Sequence, residues 1–235
     1  MDYSNMSPQE VKKLIRTGEI DYQTSGMCNG YAQANLCILP KDYAFDFLLF
    51  CTRNPKPCPI LEVGDVGSKQ FKTMASEGDV CKDFPKYRIW RNGVLEKEVT
   101  DITDYWQDDE ENKNVPMFNT NIKLQPSGKF HGNMVVSMRP IPNDLVVKAV
   151  NVTAAMPRVH GAPIQIGNPE AIGIKDITKP DYGDSVTIKE GEVPVFWACG
   201  VTPQNAVMQT KPEIAITHSP GHMFITDVKN TDLKY

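Results

Sequence analysis

Four side chains near the C-terminal end of the chain could together perform acyl chemistry: Cys199, Thr202, Gln204 and His218. An imidazole exchanges protons near neutral pH, and a thiolate is a nucleophile. Thr202-Pro203 reads as a helix N-cap followed by proline at the first helical turn. The free N–H groups of a helix start can seat a carboxylate or a developing oxyanion. Arg139 follows the apolar run Met134–Met138, and Arg53 closes an apolar helix. A guanidinium at such a segment end suits bidentate carboxylate binding. His160, in His160-Gly161-Ala162-Pro163, is a second acid/base candidate, and Glu192 is a looser one at the far end of the strand that Cys199 ends. The chemistry these residues share is binding and proton transfer on a small carboxylate.

Each candidate has a plainer alternative. His218 taken alone reads more often as a hydrogen-bonded structural histidine, and Cys199 more often as a packed thiol. Arg53 and Arg139 could pair with Asp46 or Asp184 in ordinary salt bridges. Asp181 and Asp184 read as turn caps. His218 and His222 have the spacing of helical metal ligands, but Pro220-Gly221 between them forbids the helix, so no metal is expected.

The elements that must position these groups follow from local patterns. Val193–Cys199 reads as a buried strand, Gly200 as a turn, Pro203–Gln209 as a short helix and Ile214–Thr217 as a second strand. This β-α-β order predicts two neighbouring parallel strands, with Cys199 and His218 at one sheet edge and the Thr202 helix start between them. Ser7-Pro8-Gln9-Glu10 is a capping box, and Val11, Leu14 and Ile15 continue it as an amphipathic helix that Gly18 stops. Asp42 to Phe50 is apolar nearly all round and predicts a buried helix. Asn92-Gly93 between two apolar runs predicts a hairpin over 86–99. A short helix is expected over Asp101–Asp109, a strand at Met134–Met138, a helix at Asp144–Ala155, and strands near Leu36–Leu39, Ile164–Ile166, Val186–Ile188 and Met223–Thr226.

The fold class is therefore α/β: a mixed sheet with flanking helices in two closely packed subdomains, with the parallel β-α-β unit in the C-terminal half. The expected division is 1–110, carrying the hairpin, and 114–235, carrying most of the site. The net charge is −4, from 25 basic and 29 acidic residues. No basic stripe can neutralise phosphates, so a nucleic-acid partner is not expected. No apolar run approaches the roughly 18–20 residues of a membrane span, and the N-terminus lacks secretory features, so a cytoplasmic protein without membrane contact is expected. The six cysteines form no CxxC pair and are expected to be small buried hydrophobes. No cofactor is implied. The oligomeric state is open, a homo-oligomer included.

Several longer runs occur in one order: Gly30-Tyr31-Ala32-Gln33-Ala34-Asn35, Arg53-Asn54-Pro55-Lys56-Pro57-Cys58-Pro59, Asn114-Val115-Pro116-Met117, Val136-Ser137-Met138-Arg139-Pro140, His160-Gly161-Ala162-Pro163, Pro180-Asp181-Tyr182-Gly183-Asp184, Glu192 to Gln204, and Thr217-His218-Ser219-Pro220-Gly221-His222-Met223. Together they resemble the bacterial hydro-lyase family that is similar to mammalian D-glutamate cyclase, over nearly the whole chain. The resemblance implies a two-part α/β fold and dehydration of D-glutamate to 5-oxo-D-proline. The assigned roles are then a carboxylate clamp at Arg139 or Arg53, acid/base work at His218 first and His160 second, and oxyanion stabilisation by Thr202 and Gln204. A Cys199 acyl-thioester is the alternative, and Asn35 and Asn121 complete the substrate-binding candidates. The chain departs from the family at Gln165, where histidine is usual, and at Asn168, where aspartate is usual. It also lacks roughly two dozen residues near 109/110, a junction expected to flank a mobile lid. Two rival activities stand beside the cyclase: an amidohydrolase acting on a small lactam or amide, and a non-catalytic small-carboxylate-binding protein, which Gln165 slightly favours.

Overall fold

Ser7 starts the first helix by the reciprocal bonds its sequence predicts. Its hydroxyl accepts the Glu10 amide at 3.3 Å, and the Glu10 carboxylate accepts the Ser7 amide at 2.8 Å. The helix α1 (Pro8–Arg16) buries Val11 and Ile15 and ends before Gly18, which takes a left-handed φ of 77°. The computed structural model describes residues 2–103 and 116–234. The expected helix beyond Thr103, the junction near 109/110 with its lid, and the start of the Asn114–Met117 motif lie outside the described residues.

The chain forms two units, neither of them one continuous segment. The first comprises Met1–Ala44, Ile60–Asn112 and Lys211–Asp232; the second comprises Phe45–Pro59, Lys113–Thr210 and Leu233–Tyr235. In the first unit, β1 (Tyr31–Ala34) pairs with β10 (Phe224–Lys229). A four-stranded sheet has the order β2 (Cys37–Ile38), β9 (Ala215–His218), β3 (Tyr87–Arg91), β4 (Val94–Val99). Asn92 and Gly93 at φ 51° and 80° make the β3–β4 hairpin turn, as the sequence predicts. Phe84, Tyr87, Ile89, Ile102, Ile216 and Phe224 form the core behind it.

In the second unit the order is β5 (Met117–Lys123), β6 (Asn133–Pro142), β8 (Glu192–Ala198), β7 (Gln165–Ile166). The further helices are α2 (Lys41–Arg53), α3 (Val146–Ala154) and α4 (Val201–Thr210). The mixed α/β class holds, and among the described residues every strand pair is antiparallel. The parallel β-α-β unit is not formed. Strand β8 pairs with β6 and β7, while β9, reached through α4, pairs with β2 and β3 of the other unit's sheet. The predicted burial of α2 is partial: Phe50 is fully buried, but Phe45 is 74% exposed. The strand expected at Val186–Ile188 is not formed. Among the described residues no helix is long and apolar enough to cross a membrane.

Candidate functional site

Alternation along β6 sorts its side chains onto two faces. Val136 and Met138 point into the core with Phe118, Phe196 and Ala198, all buried. Val135, Ser137 and Arg139 point the other way. Register then sets three rows on that second face: Asn119, Val135 and Cys199; Met117, Ser137 and Trp197; Arg139, Val195 and Ile166. A polar lane of Asn119, Cys199, Ser137 and Arg139 thus crosses the sheet of the second unit. Helix α3 reaches this face where Thr153 accepts the Trp197 indole N–H at 3.2 Å.

Arg139 is exposed, and its Nη1 donates to Ser137 Oγ at 3.1 Å. Its positive charge acts on both Cys199 and His160. Burial pushes the Cys199 thiol up, against the opposing pull of the Val201 amide and of Arg139, so the neutral thiol dominates near pH 7. His160 lies in the turn leading to β7. Its Nδ1 is 3.1 Å from the Lys56 carbonyl, which can only accept, so Nδ1 carries the proton. The Nε2 lone pair has no hydrogen-bond partner among the described residues. Burial lowers the His160 pKa, and the Lys56 and Arg139 charges lower it further, against the Lys56 carbonyl bond. A neutral imidazole with an open lone pair is a competent base at neutral pH.

Other predicted residues fall elsewhere. Thr202 lies inside α4 rather than before it, and it is fully buried. Its hydroxyl accepts the Val135 N–H at 3.0 Å and donates to the Val135 carbonyl at 3.2 Å. It therefore staples α4 to β6 and cannot serve an oxyanion. Gln204 is likewise buried in α4. Glu192 begins β8, about 20 Å along the strand from Cys199, and its carboxylate accepts the Lys189 amide at 2.8 Å. Arg53 donates to the Pro126 carbonyl at 2.5 Å, and Asn121 is exposed on β5. Gln165 Nε2 bonds the Asn168 carbonyl at 2.9 Å, and Asn168 Oδ1 accepts the Glu170 amide at 2.9 Å. Both departures from the family pattern thus hold a turn together.

His218 ends β9 in the first unit, so the structure does not set it beside Cys199 on neighbouring parallel strands. It is buried, and its Nδ1 accepts the Leu36 N–H at 3.1 Å, next to exposed Asn35. A backbone N–H can only donate, so this lone pair is spent. Burial pushes the His218 pKa down to about 3. Both facts oppose a general-base role. Around it lies a buried polar network. Glu98 Oε1 pairs with Arg88 and accepts the Ser219 hydroxyl at 2.8 Å, while Trp90 donates to Thr217 at 2.9 Å.

Ser137, Asn119 and Lys56 were not singled out from sequence, yet they sit with Arg139, Cys199 and His160 respectively. A signal existed for Ser137: two residues from Arg139 on a strand, it must share its face. Two shallow depressions, of about 330 and 410 Å³, are lined by other residues.

The family model described as D-glutamate cyclase matches residues 95–227, which include β5 to β9, His160 and His218. A Clostridium beijerinckii protein named "Putative hydro-lyase" is 59% identical over 261 positions, covering 100% of both chains. Against 235 residues here, that alignment leaves at least 26 positions of the relative without a counterpart. A Thermoanaerobacter sp. protein with the name "Putative hydro-lyase Teth514_1597" is 57% identical, covering 98% of this chain and 97% of its own. Bacillus subtilis "Putative hydro-lyase YcsI" is 54% identical, covering 97% and 99%. The matched span and these near-full-length identities agree with the order of motifs along the chain, and the chain belongs to the D-glutamate cyclase family.

Proposed function

We propose that this chain dehydrates D-glutamate to 5-oxo-D-proline, and that the polar face of β6 and β8 with the His160 turn is where it does so. The observation that carries this reading is His160: neutral, with Nε2 open, and under the charge of Arg139. The reaction needs the α-carboxylate held, the α-ammonium deprotonated and the departing oxygen protonated. Arg139 holds the α-carboxylate. His160 takes a proton from the ammonium, and the amine attacks the γ-carboxyl carbon. A C–N bond forms, a C–O bond breaks, and two protons pass in turn from nitrogen to the departing oxygen, which leaves as water. Asn119 and Ser137, on the same face, are available as hydrogen-bond donors during this change. Positioned proton transfer of this kind is worth about 10²–10⁴ in rate. Cys199 as a protonated thiol fits this scheme as a packed neighbour, not a nucleophile. The family description supports the substrate and its D configuration.

The test is purified protein incubated separately with D- and L-glutamate, with 5-oxoproline resolved by chiral chromatography and mass detection. Formation of 5-oxo-D-proline from the D enantiomer is the expected result. Ligand-induced thermal stabilisation without lactam would point instead to a carboxylate-binding protein. Lactam opening without lactam formation would point to an amidohydrolase.

A further inference from the structure

Lys56 lies in Arg53-Asn54-Pro55-Lys56-Pro57-Cys58-Pro59, where flanking prolines restrict the backbone. Asn54 anchors the segment: its amide donates to the Phe50 and Gln125 carbonyls at 2.8 Å each, and its carbonyl accepts the Cys58 N–H at 3.0 Å. Two bonds then tie Lys56 to the His160 turn. Its carbonyl accepts from His160, and its Nζ donates to the Ala162 carbonyl at 2.8 Å. Between them, a Cβ at Gly161 would lie 3.7 Å from the ammonium.

The Lys56 ammonium has three N–H groups and one neutral acceptor, and no carboxylate pairs with it among the described residues. It is half-buried, and burial lowers its pKa, as expected for a cation short of a counter-charge. Arg139 likewise has no anionic partner: its exposed guanidinium bonds only the neutral Ser137 hydroxyl among the described residues. Both cations act electrostatically on His160. Strand register agrees, because Arg139 is in a row with Val195 and Ile166, on the strand that the His160 turn feeds. A half-buried cation facing a neutral acceptor, as Lys56 does, is costly until an anion arrives.

We infer that Lys56 and Arg139 are two separate carboxylate seats around His160, and that the site selects dicarboxylates over monocarboxylates. The inference rests on the location given to the site above, and it adds a residue and a substrate class. In the cyclisation, Arg139 keeps the α-carboxylate, and Lys56 faces the γ-carboxyl group, where an ammonium stabilises the tetrahedral oxyanion.

Calorimetric titration with glutarate and butyrate tests the seats without requiring turnover, since the two probes differ by one carboxylate. The wild type binds glutarate at least about tenfold more tightly, the worth of one charge-assisted contact. In Lys56→Met, glutarate falls to the butyrate level while butyrate changes less than about threefold, and Lys56→Arg recovers part of the preference. A structural role predicts equal loss for both ligands, and that result overturns the inference. If Lys56→Met does not fold, the wild-type ratio decides: equal affinities, or no glutarate binding, overturn it. Glutarate preference without 5-oxoproline formation supports the two seats and removes the cyclase reading. Cyclisation of D-glutamate without glutarate preference does the reverse.

Discussion

Replacing His218 with alanine should damage stability far more than chemistry. The substitution removes the acceptor of the buried Leu36 N–H, an orphaned donor that costs about 1–3 kcal/mol. It also empties the space of an imidazole packed near Phe84, with ring centroids 6.4 Å apart, and such voids cost roughly 2–3 kcal/mol. Together these give about 3–6 kcal/mol, a large share of a typical domain's stability. For a chain of this size the melting temperature then falls by about 6–24 °C. A pH signature accompanies it. The ordinary histidine pKa is 6.5 and the folded value is about 3, so below 6.5 the unfolded chain takes up a proton that the folded chain refuses. The stability tied to this neutral ring is therefore complete above 6.5 and is lost as pH falls from 6.5 towards 3, by a few kcal/mol in all. His218→Ala should lose that contribution and show a shallower decline between about pH 4 and 7. Thermal unfolding by circular dichroism across this range, with turnover measured on the folded fraction, reads both effects. A variant that melts within about 2 °C of wild type while turnover collapses would refute the structural role and return His218 to the chemistry.

Thr202→Val should destabilise by about 1–3 kcal/mol, because the buried Val135 N–H loses its acceptor while the Val135 carbonyl keeps the Cys199 N–H; chemical denaturation measures this, and a change below about 0.5 kcal/mol would contradict the staple. Cys199→Ser should keep turnover within about threefold, since the thiol is protonated and serves no attack; a loss beyond about a hundredfold would revive the acyl-thioester.

Local chemistry was legible in the sequence, and strand partnership was not. The Ser7–Glu10 box and the Asn92-Gly93 turn act over a few residues, and both formed as read. The segment from Val193 to Thr217 forms strand, helix and strand, at nearly the boundaries its pattern predicts. Its β-α-β order predicts that the two strands are neighbours. Pairing is decided by hydrogen-bond partners far away in sequence, here β2 and β3 for β9, and β6 for β8. That single long-range fact puts the strands of Cys199 and His218 in different sheets. Thr202 failed for a local reason: Val201 already begins the helix, which turns the hydroxyl from a cap into a bond to β6. The partial exposure of α2 shows that an all-apolar helix need not be covered all round. Arg139 and His160 remained in one neighbourhood because short strand register holds them there, and Ser137 came with them by alternation.

The central claim is that the open Nε2 of His160 moves the protons. His160→Asn tests it most directly, because an asparagine amide can still donate to the Lys56 carbonyl while lacking a basic nitrogen. Turnover of D-glutamate to 5-oxo-D-proline should fall by about 10²–10⁴ with melting temperature nearly unchanged. A variant that forms the lactam at close to the wild-type rate would contradict the account.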